Sequence, residues 1–158
     1  MATKGFGIII LDMELNKMID YETAFDYKKP SVQMLGRWQP WHDGHTKLFK
    51  KALTITGQVV IMVRDVYKFD GDAGAGRTTT QDDNPFGMIQ TVEGIEAGLR
   101  EHGYENGREY LILEVPNIVD ISYGRGVGYT FTEHDLGEET HAISATAIRA
   151  QMREEGKL

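Results

Sequence analysis

Val32-Gln33-Met34-Leu35-Gly36-Arg37-Trp38-Gln39-Pro40-Trp41-His42-Asp43-Gly44-His45 passes from a short apolar run, through a turn, into a helical pattern. Val32, Met34 and Leu35 read as a short buried strand that ends at Gly36-Arg37. From His45 to Thr56 the apolar residues Leu48, Phe49, Ala52, Leu53 and Ile55 follow helical spacing, while Lys47, Lys50 and Lys51 fall largely outward. Gly57 supplies the C-terminal stop. A strand, a turn and a helix in that order are the first half of a βα unit. The turn between them carries two histidines in the spacing H-x-G-H.

Working outward, the alternation continues. Val59 to Val63 is an apolar, mostly β-branched run, as expected of a central parallel strand covered on both faces. Residues 65–84 are rich in Gly, Thr and Asp and show no periodicity, which predicts a loop that acts as a mobile lid. Asn84-Pro85 opens the next helix with Pro85 in its first turn, and Met88, Val92, Ile95 and Leu99 mark its buried face. Gly103 ends it. Tyr110 to Val115 reads as a further buried strand, and Ser144 to Glu155 as a last helix with Ile148 and Met152 inward. Before all of this, residues 5–27 read as a β-hairpin that covers a sheet edge or meets a second copy of the chain. The pattern predicts a single α/β domain over 1–158: a hairpin extension over 1–30 and, over 31–158, a parallel sheet with helices on both faces. Ligands of such sheets bind beyond the carboxyl ends of the strands, where the 37–45 turn and Arg64 fall.

Composition narrows the classes. The 158-residue length suits one domain with a real core. With a net charge of −7 the chain lacks the basic surface that non-specific nucleic-acid binding needs. Its apolar runs are far shorter than the roughly 20 residues of a membrane span. There is no secretory signal pattern and no cysteine, hence no disulfide framework or thiolate nucleophile, and a cytoplasmic location is the expectation. No metal site is expected in the protein itself. Zinc is disfavoured because no thiolate exists and no third histidine stands at a ligand spacing.

His42 and His45, three residues apart at the start of a helix, can point to one side of the same turn and donate hydrogen bonds to a phosphate. Gly44 lets backbone approach an anion without a Cβ in the way, and the free N–H groups of the helix start add to the site. The bland reading is a turn with incidental histidines, or a pair of metal ligands. About a hundred residues later, Ile143-Ser144-Ala145-Thr146-Ala147-Ile148-Arg149 stands at another helix start. Ser144 there is an N-cap whatever else it does. Gly71-Asp72-Ala73-Gly74-Ala75-Gly76-Arg77-Thr78 matches a P-loop except for Arg in place of Lys. It neither follows a buried strand directly nor opens a helix, so the lid reading is preferred. Gly124-Arg125-Gly126-Val127-Gly128 fails the dinucleotide glycine spacing.

The two motifs together resemble the HxGH and ISxTxxR signatures of the nucleotidyltransferase superfamily, and the resemblance covers residues 31–152. It implies a Rossmann-like sheet and transfer of a nucleoside monophosphate from a nucleoside triphosphate to an acceptor, with release of pyrophosphate. His42 and His45 would then be the catalytic pair. Arg37, Gln39, Gly44, Ser144, Thr146 and Arg149 would bind nucleotide and phosphate. Arg64, Arg77, Tyr123 and Arg125 are candidate contacts to substrate or phosphate. Mg²⁺ is the implied cofactor, bound mainly through the phosphates. The G-R-W-Q-P turn resembles the family's G-R-F-x-P, and Asn84-Pro85-Phe86 resembles the N-P-F of nicotinamide mononucleotide adenylyltransferases, although Gly87-Met88-Ile89 replaces their Gly-Glu-Arg. The N-terminal hairpin, G-R-W-Q-P-W-H-D-G-H, V-R-D, V-P-N-I, Y-G-R-x-V-G-Y and I-S-A-T-x-I-R taken together look most like a small group of cytidylyltransferases of marine phages and bacteria, with relatives acting on phosphonates. CTP with a small phosphate- or phosphonate-bearing acceptor is therefore the expectation, with ATP and a nicotinamide mononucleotide-type reaction as the alternative. A non-catalytic nucleotide-binding regulator is the alternative of another class.

Overall fold

The computed structural model describes residues 24–126 and 128–158. The expected N-terminal hairpin and its contact with a second copy lie outside the described residues, save for residues 24–27. In chain order the elements are β1 (Val32–Gly36), α1 (Asp43–Thr56), β2 (Val59–Arg64), β3 (Gly71–Gly74), β4 (Arg77–Thr79), a 3₁₀ turn (Gln81–Asp83), α2 (Met88–Arg100), β5 (Tyr110–Val115), α3 (Glu138–His141) and α4 (Ala145–Glu154). β1, β2 and β5 form a parallel sheet in the order β1-β2-β5, with Val32 opposite Val59 and Val59 opposite Tyr110. The expected Rossmann-like α/β architecture is present: a parallel sheet flanked by helices, with α1 and α2 on the crossovers. No helix of the described residues is long and apolar enough to cross a membrane.

The core joins Phe49 and Ala52 of α1 and Ile95 and Leu99 of α2 to Val59, Ile61 and Val63 of β2. β2 is central, yet its burial alternates, with Val60, Met62 and Arg64 only half-buried. A uniform apolar run therefore hid a two-sided difference. Among the described residues β5 is an edge of this sheet, and beyond Tyr110 it is open: Leu113 and Glu114 are exposed.

Helix boundaries differ from expectation for local reasons. α1 starts two residues earlier because His42, in extended conformation, is its N-cap. It ends as read, with Gly57 at φ 81 donating to Leu53 O at 2.8 Å. α2 starts at Met88 rather than at Pro85. The Gln39 side chain takes the Phe86 N–H at 2.9 Å and holds residues 85–87 outside the helix. In α2, Thr91, Ile95 and Leu99 are buried while Met88 and Val92 are half-buried. In α4, Ile148 and Met152 are half-buried, and the fully buried residue is Arg149.

Residues 65–84 are not the featureless lid expected. β3 and β4 pair antiparallel, Gly71 opposite Thr79, and the link between them places Ala75 and Gly76 at φ 54 and 74. Two successive positive φ values are the backbone of a tight hairpin turn whose twist matches its strands. This also removes the P-loop reading, since the glycines serve a hairpin and not a strand-to-helix loop. The hairpin is tied down by Arg64 Nη2 to Ala73 O (3.4 Å), Asn117 Nδ2 to Asp72 O (3.3 Å) and Gln81 N–H to Asp70 Oδ1 (2.7 Å). Asn84, fully buried, donates to Phe69 O, Thr79 Oγ1 and Thr80 O at 3.0–3.2 Å.

Candidate functional site

The turn that follows β1 is held by buried side chains. Trp38 adopts φ 55, and its ring lies over Gly36, where a Cβ would meet it at 2.8 Å. Its indole N–H donates to Met62 O at 3.0 Å. Trp41 lies over Gly98 of α2, where a Cβ would meet the indole at 2.7 Å, and donates to Thr46 Oγ1 at 2.8 Å. The Gln39 amide is spent at both ends, donating to Phe86 O and accepting from Phe86 N–H. Gln39 was expected to bind nucleotide; its side chain instead fixes the turn.

This rigid turn presents His42 and His45. Their rings stack with centroids 3.6 Å apart and planes 17° from parallel. His42 Nδ1 accepts from the Gly44 N–H at 3.1 Å, and His45 Nδ1 accepts from the His42 N–H at 3.2 Å. The second bond is the return arm of a capping box, a role usually filled by Glu or Gln. With each Nδ1 accepting, the proton of each neutral ring sits on Nε2. Two parallel N–H donors result. Trp38 and Trp41 wall His45 at centroid distances of 4.8 and 5.3 Å. Burial, and next the His42 charge, push the His45 pKa down to about 3. Burial also lowers that of His42, against an opposing pull from Asp43. Both rings are therefore neutral at pH 7.

Beside the pair is a cavity of about 390 Å³, lined by His42, Gly44, His45 and Leu48 on one side and by Thr132, Glu133, His134, Leu136 and Thr140 on the other. Lys47 Nζ donates to Thr140 Oγ1 at 3.0 Å and joins α1 to that second wall. Gly44 has a different reason from the one expected. A Cβ there would meet the His42 ring at 2.8 Å, so the glycine makes room for the imidazole. No part of the 132–140 wall was legible in the sequence. It carries no periodicity, and a lone His134 gives no ligand or catalytic spacing.

The remaining candidates fall elsewhere. Ser144 caps α4 as read, accepting from Ala147 N–H at 3.3 Å, and both it and Thr146 are exposed. Arg149 is 3% exposed and donates to Gln39 O (2.8 Å), Asp83 Oδ1 (3.2 Å) and Thr146 Oγ1 (3.3 Å). It joins α4 to the histidine turn and to the 3₁₀ turn. Arg37 and Arg64 lie at the carboxyl ends of β1 and β2, and Arg77 is exposed on β4. Tyr123 and Arg125 are exposed on the irregular stretch 116–126, Tyr123 stacks with Phe131 at 6.1 Å, and neither lines the cavity. Among the described residues no group of three or more His, Asp or Glu converges as a metal-ligand set.

No protein-family model matches the sequence, and no curated protein matches it.

Proposed function

We propose that the chain is a nucleotidyltransferase that moves a nucleoside monophosphate, CMP for preference, from a nucleoside triphosphate to a small acceptor bearing a phosphate or phosphonate. The observation that carries this reading is the stacked, neutral histidine pair. Its two Nε2–H donors stand at a helix start beside the cavity, at the carboxyl side of a parallel sheet. An acceptor oxygen attacks the α-phosphorus, the bond from that phosphorus to the bridging oxygen breaks, and pyrophosphate leaves. Charge builds on the non-bridging oxygens of the α-phosphate. Two fixed N–H donors, together with the positive end of the α1 dipole, are suited to that charge. They need no proton transfer, which agrees with imidazoles whose burial disfavours the charged form. No covalent intermediate is required.

The donor set also bears on Mg²⁺. An Nε2–H has no lone pair for a cation, so the imidazoles suit phosphate oxygens, and the ion would travel with the nucleotide. Glu133 is the carboxylate among the cavity-lining residues. When bound, Mg²⁺ would neutralise the triphosphate and its leaving group. Arg149, read as a pyrophosphate ligand, serves this scheme as the strut that joins α4 to the histidine turn.

Pyrophosphate release from CTP and from ATP, assayed across phosphate and phosphonate acceptors, tests the reading. The expected result is pyrophosphate matched one for one by a nucleotide–acceptor adduct, with CTP the better donor. Productive use of ATP with nicotinamide mononucleotide would replace CTP by ATP. Release of inorganic phosphate in place of pyrophosphate would overturn nucleotidyl transfer.

A further inference from the structure

Arg37, Arg64 and Arg77 lie at the carboxyl edge of the sheet, and among the described residues none of the three is in an ion pair, Asp72 and Asp83 acting on Arg64 and Arg37 only at longer range. β1 and β2 run parallel with Gly36 opposite Val63, so the next residue of each strand, Arg37 and Arg64, leaves the sheet at the same level. Arg37 Nη1 donates to Thr79 Oγ1 (2.8 Å) and Asn84 Oδ1 (2.9 Å). Arg64 gives Nε and Nη2 to Asn117 Oδ1 (3.2 and 2.6 Å). Every one of these acceptors is neutral. Arg77 stands on β4, the strand that supplies Thr79 to Arg37. The ion pairs among the described residues lie elsewhere, at Arg100–Glu105, Arg108–Glu109, Arg149–Asp83 and Lys157–Glu155. The Arg64 guanidinium is disfavoured first by burial and next by Arg37; Asp72 opposes this, and Arg77 adds to it.

Fastening a hairpin to a sheet edge does not need like charges side by side. A neutral amide could bond Thr79 or Ala73 O without the mutual repulsion. Neutral acceptors such as Asn84 and Asn117 orient the planar forks while leaving their charge available. Such an array favours a compact dianion. We propose that Arg37, Arg64 and Arg77 form a seat for a tetrahedral R–PO₃ dianion, a phosphate monoester or a phosphonate, separate from the histidine cavity. Assigning this group to the acceptor rests on the nucleotidyl-transfer reading; the anion seat itself does not. The division gives the nucleotide the histidine pair and leaves the strand ends to the second substrate.

The test is calorimetric titration of methylphosphonate and of methyl phosphate, at low salt, into wild type, Arg64→Gln, Arg77→Gln and His45→Gln. Each titration is repeated with a saturating α,β-methylene analogue of CTP and Mg²⁺. The expected result is that wild type binds both, and the tighter one identifies the acceptor class. Arg64→Gln and Arg77→Gln each weaken binding by about tenfold or more, the loss of one charge-assisted fork. His45→Gln and the nucleotide analogue change it by less than about threefold. Arg77 is exposed, so its variant tests the seat even if Arg64→Gln loosens the hairpin. The proposal is overturned if wild type binds neither anion, if Arg77→Gln binds as wild type does, or if the nucleotide analogue displaces the anion. A protein that seats methylphosphonate and binds no nucleotide would support the seat while overturning nucleotidyl transfer.

Discussion

At the scale of single residues, His42 and His45 cap α1 and, in the proposed function, are also the donors of the site, and two substitutions separate these roles. Glutamine at position 45 can still accept the His42 N–H, so His45→Gln is expected to keep the cap while moving the donor. Alanine removes both, at a cost of about 1 kcal/mol in stability from the lost cap. Both variants are expected to lose on the order of 10²–10³ in turnover. Equal turnover in wild type and His45→Gln would contradict the donor role. Position 45 also shapes acid stability. Its folded pKa of about 3 lies below the ordinary histidine value of 6.5, so the unfolded chain takes up a proton that the folded chain refuses. The resulting stability is fully present above the unfolded pKa and is lost as the pH falls from there toward 3. The slope is at most about 1.4 kcal/mol per pH unit. Urea midpoints between pH 7 and pH 4 should fall less steeply for His45→Gln than for wild type. Parallel profiles would show that the ring titrates freely in the fold.

Elements are where reading from the sequence alone succeeded most and where it failed in a consistent way. Apolar spacing located β1, α1, β2, α2 and β5, because each buries one face against the same core. The 71–79 hairpin was missed because its strands are built from Gly, Asp, Arg and Thr. Its pairing is held by backbone and by Asn84, Arg64 and Asn117, none of which leaves an apolar period. The pairing of the two histidines was legible from their spacing, whereas the opposing 132–140 wall was not, because tertiary folding alone brings it there. Gly36, Gly44 and Gly98 make room for Trp38, His42 and Trp41, contacts no local pattern encodes. In an open helix interior, Gly98→Ala would stabilise by up to about 1 kcal/mol. Against Trp41 it is expected to destabilise by about 1–3 kcal/mol. A raised melting temperature would contradict the packing. Hydrogen exchange checks the hairpin directly. Without nucleotide, the ladder amides of 71–79 should exchange more slowly than amides of the irregular 118–126 and 128–137 stretches. Equal exchange would restore the lid expected at 65–84.

At the scale of the whole molecule, Arg149 connects parts of the chain far apart in sequence: α4, the histidine turn through Gln39 O, and the 3₁₀ turn through Asp83. Arg153 adds a bond to Asp82 O at 2.5 Å. Arg149→Leu leaves Gln39 O and Asp83 Oδ1 without the guanidinium that donates to them and is expected to cost about 2–4 kcal/mol, read from urea unfolding. A solvated, phosphate-binding arginine would leave stability unchanged when replaced. That contrast separates the strut from the ligand role implied by the ISxTxxR resemblance.

That His42 and His45 receive the phosphates of a nucleotide is tested most directly by long-range ¹H–¹⁵N spectra of the histidine rings during titration with CTP and Mg²⁺. Both rings should appear as neutral Nε2–H tautomers in the free protein. Their Nε2–H signals should shift together on addition of CTP and stay unmoved by cytidine, which lacks the phosphates. Rings protonated on Nδ1, or Nε2–H signals indifferent to CTP at saturation, would contradict it.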